Sequence, residues 1–207
     1  MAFTILDAIG NTPLVQIGRM SPNPRVKLLA KLEYLNPGGS IKDRPALYMI
    51  EAAERSGELT PEKTVIEATS GNTGIALAMA AAIRGYKMVL VMPEHLSIER
   101  RQTMAAFGAR FVLTAEKGGM ELARDTAERM RDAGEGVILD QFANPDNPLS
   151  HYAGTGPEIW RDTQGRITHF VATMGTTGTL MGCSRFLKEK NPAIQVIGVH
   201  PAPGSSV

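Results

Sequence analysis

The chain has 207 residues, and its 22 lysines and arginines nearly balance its 21 aspartates and glutamates. This length can bury a real core, either as one large domain or as two small ones. Because no long run of charge appears, a dedicated nucleic-acid or acidic-membrane surface is disfavoured, and we expect neither partner. The single cysteine, Cys183, excludes an intrachain disulfide and a cysteine-rich zinc site.

Several features that the sequence lacks indicate where in the cell the protein is found. One thiol fits a reducing cytosol. The opening MAFTILDAIGNTPLV lacks the basic and apolar regions of a secretory signal, and no apolar run is long enough to span a bilayer. The four histidines are scattered without partners at ligand spacing, so we predict no metal. We expect a soluble cytoplasmic protein.

Strand-like and helix-like runs alternate along the chain. In chain order, we predict strands at VKLLAKLEY, TVIEAT, MVLVMP, RFVLTA, GVILDQF, ITHFVAT and IQVIGVH. Helices are predicted at KDRPALYMIEAAERSG, GIALAMAAAIRGY, SIERRQTMAAFGA, GMELARDTAERMRDAG, PEIWRDTQG and LMGCSRFLKEKN. Short continuous apolar strands separated by helices predict an α/β fold, with a parallel sheet covered on both faces. Ligands of such sheets bind beyond the carboxyl ends of the strands.

Two breaks divide the predicted elements. NPGGS and NPDNP bracket a unit of four predicted strands. We therefore predict a smaller domain at 36–145, inserted between two pieces of a larger one at 1–35 and 146–207. After the last predicted strand comes the loop-like PAPGSSV, which suggests a doubly wound sheet that is not finished.

The loop TSGNTG, Thr69 to Gly74, follows a predicted strand and opens a predicted helix. Free N–H groups and the helix dipole make such a helix start attractive to anions. The hydroxyls of Ser70 and Thr73 and the amide of Asn72 add hydrogen-bonding groups. An N-cap followed by a tight turn is the simpler interpretation, and the loop alone does not exclude it.

A second loop, MGTTGT, has the same place after ITHFVAT. Gly175 and Gly178 allow close approach of the backbone, and three threonine hydroxyls surround them, which is typical of a phosphate cradle. The loop matches neither a P-loop nor a dinucleotide fingerprint. An ordinary glycine turn is the alternative.

The third segment is NPGGSIKDR, in which Ser40 is a predicted N-cap and Lys42 falls in the first helical turn. The helix dipole disfavours a cation there, which should lower the pKa of Lys42. A neutral amine is what Schiff-base chemistry requires. The alternative is that Lys42 extends into water while Asp43 compensates its charge.

Taken together, the three segments describe a cofactor that carries both a carbonyl and a phosphate. It would join Lys42 as an imine and place its phosphate on Gly175–Thr179, leaving TSGNTG for a substrate carboxylate. Pyridoxal 5′-phosphate fits this description, with the cofactor acting as the electron sink.

The motifs KLEYLNPGGSIKDR, EATSGNTGIALAM and GTTGT, in this order, resemble the cysteine synthase (O-acetylserine sulfhydrylase) family of fold-type II pyridoxal-phosphate enzymes. GARFVLT, LDQFANPDNP and GPEIWRDTQGRITHFV are most similar to its B-type members, and the resemblance covers essentially the whole chain. It implies a fold like that of the tryptophan synthase β chain, with two three-layer α/β domains and mainly parallel sheets.

The resemblance also implies residue roles. Lys42 would hold the cofactor and remove the substrate α-proton, and Asn72 would hydrogen-bond the cofactor's 3′-oxygen. The phosphate would lie on Gly175, Thr176, Thr177, Gly178 and Thr179. The substrate carboxylate would be bound by Thr69, Ser70, Thr73 and Gln141.

The implied reaction is β-replacement, in which O-acetyl-L-serine loses acetate to give an aminoacrylate and sulfide adds to give L-cysteine. Thiosulfate as donor would give S-sulfocysteine. The resemblance further implies a homodimer whose small domain closes on the substrate. A cystathionine β-synthase-like or serine dehydratase-like lyase and an inert anion-binding scaffold remain alternatives.

Length is where the chain departs from the family, whose members continue well beyond PAPGSSV. The further part would complete the larger sheet and supply the serine expected at the pyridine nitrogen. We therefore interpret Val207 as a cut or a disordered point.

Overall fold

The computed structural model describes residues 3–95 and 97–202. Its strands are β1 (Leu14–Gln16), β2 (Leu29–Lys31), β3 (Thr64–Ala68), β4 (Lys87–Pro93), β5 (Arg110–Thr114), β6 (Val137–Ile138), β7 (His169–Thr173) and β8 (Gln195–Val199). Its α-helices are α1 (Asp43–Ser56), α2 (Asn72–Arg84), α3 (Ile98–Ala106), α4 (Gly119–Asp132), α5 (Asp146–Ser150), α6 (Gly156–Asp162) and α7 (Gly178–Lys190). The interpretation of Val207 lies outside the described residues.

The central sheet is parallel, with strand order β5-β4-β3-β6. Successive side chains of its strands face opposite sides. Val65 and Leu90 belong to an apolar cluster with α1 and α2, whereas Ile66 and Val91 pack with Ala123 and other residues of α4. Helices therefore cover both faces, and the predicted α/β fold with a parallel sheet is confirmed.

Two smaller sheets complete the described part of the chain. β1 and β2 pair antiparallel, and β7 and β8 pair parallel. The β7–β8 pair packs through Phe170 on Cys183 and Leu187 of α7. Cys183 is thus a small buried core residue, as its apolar helix predicts.

The helix ends follow their sequence signals. Gly57 and Gly85 end α1 and α2 in the left-handed conformation, with φ of 77° and 82°. Ser97 caps α3, because its Oγ accepts a hydrogen bond from Arg100 N at 3.4 Å. Within the described ranges, no helix is long and apolar enough to cross a membrane.

Some predicted boundaries are wrong. Of VKLLAKLEY only β2 is a strand, because β1 offers it just three partner residues and a 3₁₀ turn follows at Glu33–Leu35. Of GVILDQF only β6 is a strand, because Asp140 turns to φ 50°. The domain break at NPDNP stays a prediction, and its last three residues form the start of α5, which tolerates Pro148 because proline is compatible with a first helical turn.

Candidate active site

The TSGNTG loop lies at the carboxyl end of β3. Gly71 is the N-cap of α2, so that helix begins at Asn72, two residues before its predicted start. Thr69 and Thr73 are buried, while Asn72 is exposed at the first position of the helix. The first N–H groups of α2 therefore point from the end of the sheet, where an anion can bind them.

Thr73 and Gln141 meet at this helix start, although 68 residues separate them in the chain. Thr73 Oγ1 donates to Gln141 Oε1 at 2.6 Å, and both side chains are buried. Within the described ranges no residue accepts a hydrogen bond from Gln141 Nε2. The pair therefore presents an amide donor beside the α2 N–H groups, which suits a carboxylate.

Gln141 is placed by a turn that a buried acid supports. Asp140 has φ 50°, and its N–H donates to Glu67 Oε2 at 3.3 Å. Burial raises the pKa of Glu67 to about 7, although nearby backbone N–H groups oppose the rise. At acidic pH the Glu67 carboxyl is neutral and can accept the hydrogen bond from Asp140 N without burying a charge. At alkaline pH the ionised carboxylate still accepts it, but the buried charge costs desolvation free energy.

This burial predicts a pH effect on stability. Between the ordinary pKa of 4.5 and about 7, folded protein keeps a Glu67 proton that unfolded chain releases, so stability falls as pH rises. We expect wild type to lose about 1–3 kcal/mol relative to Glu67→Gln across that window. Urea unfolding at several pH values measures the difference, with exposed Glu135→Gln as control. A constant difference would contradict the prediction.

The MGTTGT loop follows β7 and opens α7. Thr177 is the N-cap of α7 with φ 62°, a left-handed conformation that turns successive N–H groups toward one side. No atom lies within 4 Å of the Cβ that a side chain at Gly175 would add, so the loop is open there. Thr176 and Thr179 flank this opening and are partly buried.

Lys42 is the N-cap residue of α1 and is partly buried. The predicted N-cap, Ser40, is therefore two residues too early, and Lys42 precedes the first turn instead of lying in it. Ser40 Oγ accepts from Lys42 N at 3.1 Å ahead of the helix. Among the described residues, none makes a hydrogen bond or ion pair with Lys42 Nζ. Burial lowers the pKa of Lys42. The predicted direction is confirmed, but the cause is burial and not the helix dipole.

Direct contacts connect some of the predicted residues. Thr73 reaches Gln141, whose carbonyl oxygen accepts from Asn147 Nδ2, and that same nitrogen donates to Thr176 Oγ1. Ser70, Asn72 and Lys42 are placed by their elements, without side-chain hydrogen bonds to the others. The chain of contacts from Thr73 to Thr176 therefore joins the TSGNTG and MGTTGT loops.

His151 lies beside the MGTTGT loop, although the sequence alone does not single it out as a site residue. Its Nε2 lies 3.3 Å from Thr179 Oγ1 and its Nδ1 2.9 Å from Thr155 Oγ1. Burial and then the charge of Arg44 lower the pKa of His151 to about 3, so the ring is neutral. It sits in a π-helical turn, His151–Thr155, that the sequence does not reveal.

These residues fit a phosphate-bearing aldehyde. The open, hydroxyl-rich start of α7 suits a phosphate dianion. The partly buried amine of Lys42, with its lowered pKa and no ion pair, suits attack on a carbonyl. Within the described residues no cluster of histidine, cysteine and acidic side chains could hold a metal ion.

Comparison with known proteins finds similar chains and similar folds. Cysteine synthase B of Pseudomonas aeruginosa is 58% identical over 204 residues, which are 99% of this chain and 68% of the relative. A crystal structure of cysteine synthase from Entamoeba histolytica superposes with a TM-score of 0.92 at 42% identity, covering 97% of this chain and 61% of that one. Cystathionine beta-synthase of Apis mellifera is 47% identical over 95% of this chain and 40% of its own.

The chain thus spans about two thirds of the length of the cysteine synthases that it matches. A family model described as pyridoxal-phosphate dependent enzyme matches residues 5–207, which is nearly the whole chain. The chain belongs to the family of pyridoxal-phosphate dependent enzymes.

Proposed function

We propose that the protein is a cysteine synthase, which converts O-acetyl-L-serine by β-replacement into L-cysteine with sulfide or into S-sulfocysteine with thiosulfate. The observation that carries the proposal is the hydrogen bond between Thr73 and Gln141. This hydrogen bond brings together, at the start of α2, two residues that are expected to bind a substrate carboxylate. The side chain of Asn147 connects Gln141 with Thr176 of the phosphate loop. High identity with cysteine synthase B supports the same choice.

Residues of both loops would hold the cofactor and substrate. Gly175–Thr179 would bind the phosphate, and Asn72, exposed at the start of α2, would reach the ring oxygen. When bound, pyridoxal phosphate supplies an aldehyde that condenses with amines and a ring that accepts electrons. Gln141 Nε2 and the hydroxyls of TSGNTG, from Thr69, Ser70 and Thr73, would orient the substrate carboxylate.

Lys42 would do the proton chemistry. Its burial keeps a larger share of the amine neutral than at an exposed lysine. A neutral Nζ would hold the cofactor through its carbonyl carbon until the substrate amine takes its place. The Nζ released in this way would then accept the proton from the substrate Cα. Proton return from the same nitrogen would complete the cycle.

We also propose that 36–145 closes over the substrate as a smaller mobile domain, against the larger one at 1–35 and 146–207. Gln141 and TSGNTG belong to the smaller unit, and the phosphate loop belongs to the larger one. A carboxylate bound at Gln141 and α2 would therefore favour closure, which excludes water from the reaction.

A homodimer in the cytoplasm is the setting that we propose. The family resemblance supports the dimer, and the single buried Cys183 is compatible with a reducing compartment. Analytical ultracentrifugation and cell fractionation would test the two statements separately.

Loss of the carboxylate donor should raise KM. Gln141→Ala removes the free amide and the acceptor of Thr73, so we expect KM for O-acetyl-L-serine to increase about 10–100-fold with a smaller change in kcat. Gln102→Ala, at an exposed position of α3, is the matched control and should keep both constants. Steady-state kinetics measure them, and an unchanged KM in Gln141→Ala would contradict the assignment.

Product analysis tests the reaction itself. Purified protein loaded with pyridoxal phosphate is offered O-acetyl-L-serine or L-serine, each with sulfide, thiosulfate or homocysteine. Cysteine or S-sulfocysteine from O-acetyl-L-serine supports the proposal. Cystathionine from serine and homocysteine would indicate the cystathionine β-synthase-like alternative, pyruvate from serine the dehydratase-like one, and no product the inert scaffold.

A further inference from the structure

Asn147, near the start of α5, makes contacts on both sides of the site. Its side chain is buried, and its Nδ2 donates to Gln141 O at 2.7 Å and to Thr176 Oγ1 at 2.9 Å. Gln141 follows β6 of the central sheet, and Thr176 follows β7 of a different sheet. One amide nitrogen therefore links the carboxylate side of the site to the phosphate side.

The other end of this amide fixes its orientation. Asn147 Oδ1 is buried and makes no hydrogen bond with any described residue, and a Cβ at Gly178 would collide with it. A buried acceptor without a partner is costly. The reverse orientation would be worse, since it would place Oδ1 against the Gln141 carbonyl oxygen, which is also an acceptor, and only the Thr176 hydroxyl could still pair with it by donating. The Asn147 side chain is thus oriented so that Nδ2 donates both hydrogen bonds, and the space around it admits no larger side chain.

We propose that Asn147 is a positioning residue that couples the two binding subsites, by holding the Gln141 backbone and the Thr176 hydroxyl at a fixed separation. This inference rests on the proposed function for the identity of the two ligands. A phosphate that orders Thr176 orders Asn147, and through it the segment that presents Gln141. By linkage, a carboxylate that orders Gln141 then strengthens phosphate binding by the same factor.

The carboxylate and the phosphate can also bind to preformed, independent loops. In that case Asn147 would be an ordinary structural residue of the segment that follows β6 and opens α5. Asn144 provides the comparison, because its Nδ2 donates to Leu139 O at 2.7 Å in the same segment, and among the described residues its side chain forms no hydrogen bond with Gln141 or Thr176. Loss of either asparagine should loosen the segment, but only loss of Asn147 should alter both subsites.

The test measures the Kd of pyridoxal phosphate by titrating apoprotein, without any substrate. We expect Asn147→Ala to raise Kd about tenfold and Thr176→Val to raise it as well. In the double variant, Kd should increase by less than the product of the two single increases. The reason is that both substitutions break the same hydrogen bond, from Asn147 to Thr176. Asn144→Ala should keep Kd within twofold even if its unfolding midpoint falls. Asn147→Ser, whose hydroxyl can donate only one hydrogen bond, replaces Asn147→Ala should that variant not fold.

Kinetics with O-acetyl-L-serine give the second readout. At saturating cofactor, Asn147→Ala should raise KM about tenfold while kcat changes less than threefold, and Asn144→Ala should change neither. Multiplicative effects on Kd in the double variant, or equal effects of the two asparagine variants, would overturn the proposal. Because the Kd measurements need no turnover, they remain decisive if wild type makes no cysteine, which would overturn the proposed function alone.

Discussion

Replacing Lys42 by alanine is expected to abolish the absorbance band of the imine between the protein and pyridoxal phosphate and to lower turnover about a thousandfold or more. The reason is local, because Lys42 Nζ is partly buried, has a lowered pKa and pairs with no described residue. Alanine leaves the phosphate loop intact, so we expect weaker binding of the cofactor rather than none. Absorbance spectra and initial rates of cysteine formation measure the two effects.

Borohydride reduction makes the same test specific for the residue. Reduction should fix the cofactor on the peptide that contains Lys42, and mass spectrometry should find the added mass there and nowhere else. Lys87→Ala, an exposed lysine at the start of β4, is the matched control and should keep the spectrum and the label. A labelled Lys42→Ala variant, or one with full activity, would show that another amine does the chemistry. An unlabelled wild type would instead favour the inert scaffold.

The loops of the candidate site were predictable because they depend on local sequence. A strand, a glycine-containing loop and a helix determine where free N–H groups lie, and both TSGNTG and MGTTGT have this order. The direction of the Lys42 pKa shift was predictable for the same reason. Its cause was not, since burial depends on which other segments pack around the lysine.

Asn147 and His151 could not be predicted as site residues. Their partners in the phosphate loop, Thr176 and Thr179, are 29 and 28 positions away, and the contacts depend on how two sheets are arranged. NPDNP contains ordinary turn residues, and the π-helical turn after it has no sequence signal. The predicted lengths of β2 and β6 were wrong for a related reason. An apolar run does not reveal how many of its residues will pair with a neighbouring strand.

A buried ionic network around Arg44 could not be predicted from the sequence either, because it joins residues from separate segments of the chain. Arg44 Nε lies 2.7 Å from Glu33 Oε2, and Arg44 Nη1 lies 2.8 Å from Glu158 Oε1. Lys31 Nζ lies 2.7 Å from the other oxygen of Glu158. The network therefore joins β2, the start of α1 and α6, two residues away from Lys42.

Breaking this network should cost more stability than any other single change considered above. Burial would raise the pKa of Glu158, but hydrogen bonds from Arg44 and Lys31 hold it at about 2. In Arg44→Met the two carboxylates stay buried without their shared partner, so we expect the free energy of unfolding at pH 7 to fall by about 3–5 kcal/mol. Urea unfolding followed by circular dichroism measures the loss.

Arg84→Met is the matched control, because Arg84 pairs with Glu51 at 2.6 Å while both side chains remain about one-third exposed. Such a pair contributes at most about 1 kcal/mol, so the control should lose little. The pH dependence separates charge from packing. A lowered carboxylate pKa stabilises the fold above the ordinary value of 4.5 and loses that contribution as pH falls toward about 2. The difference in the free energy of unfolding between wild type and Arg44→Met should therefore decrease on acidification. A difference that stays constant would assign the loss to the missing side-chain volume of Arg44.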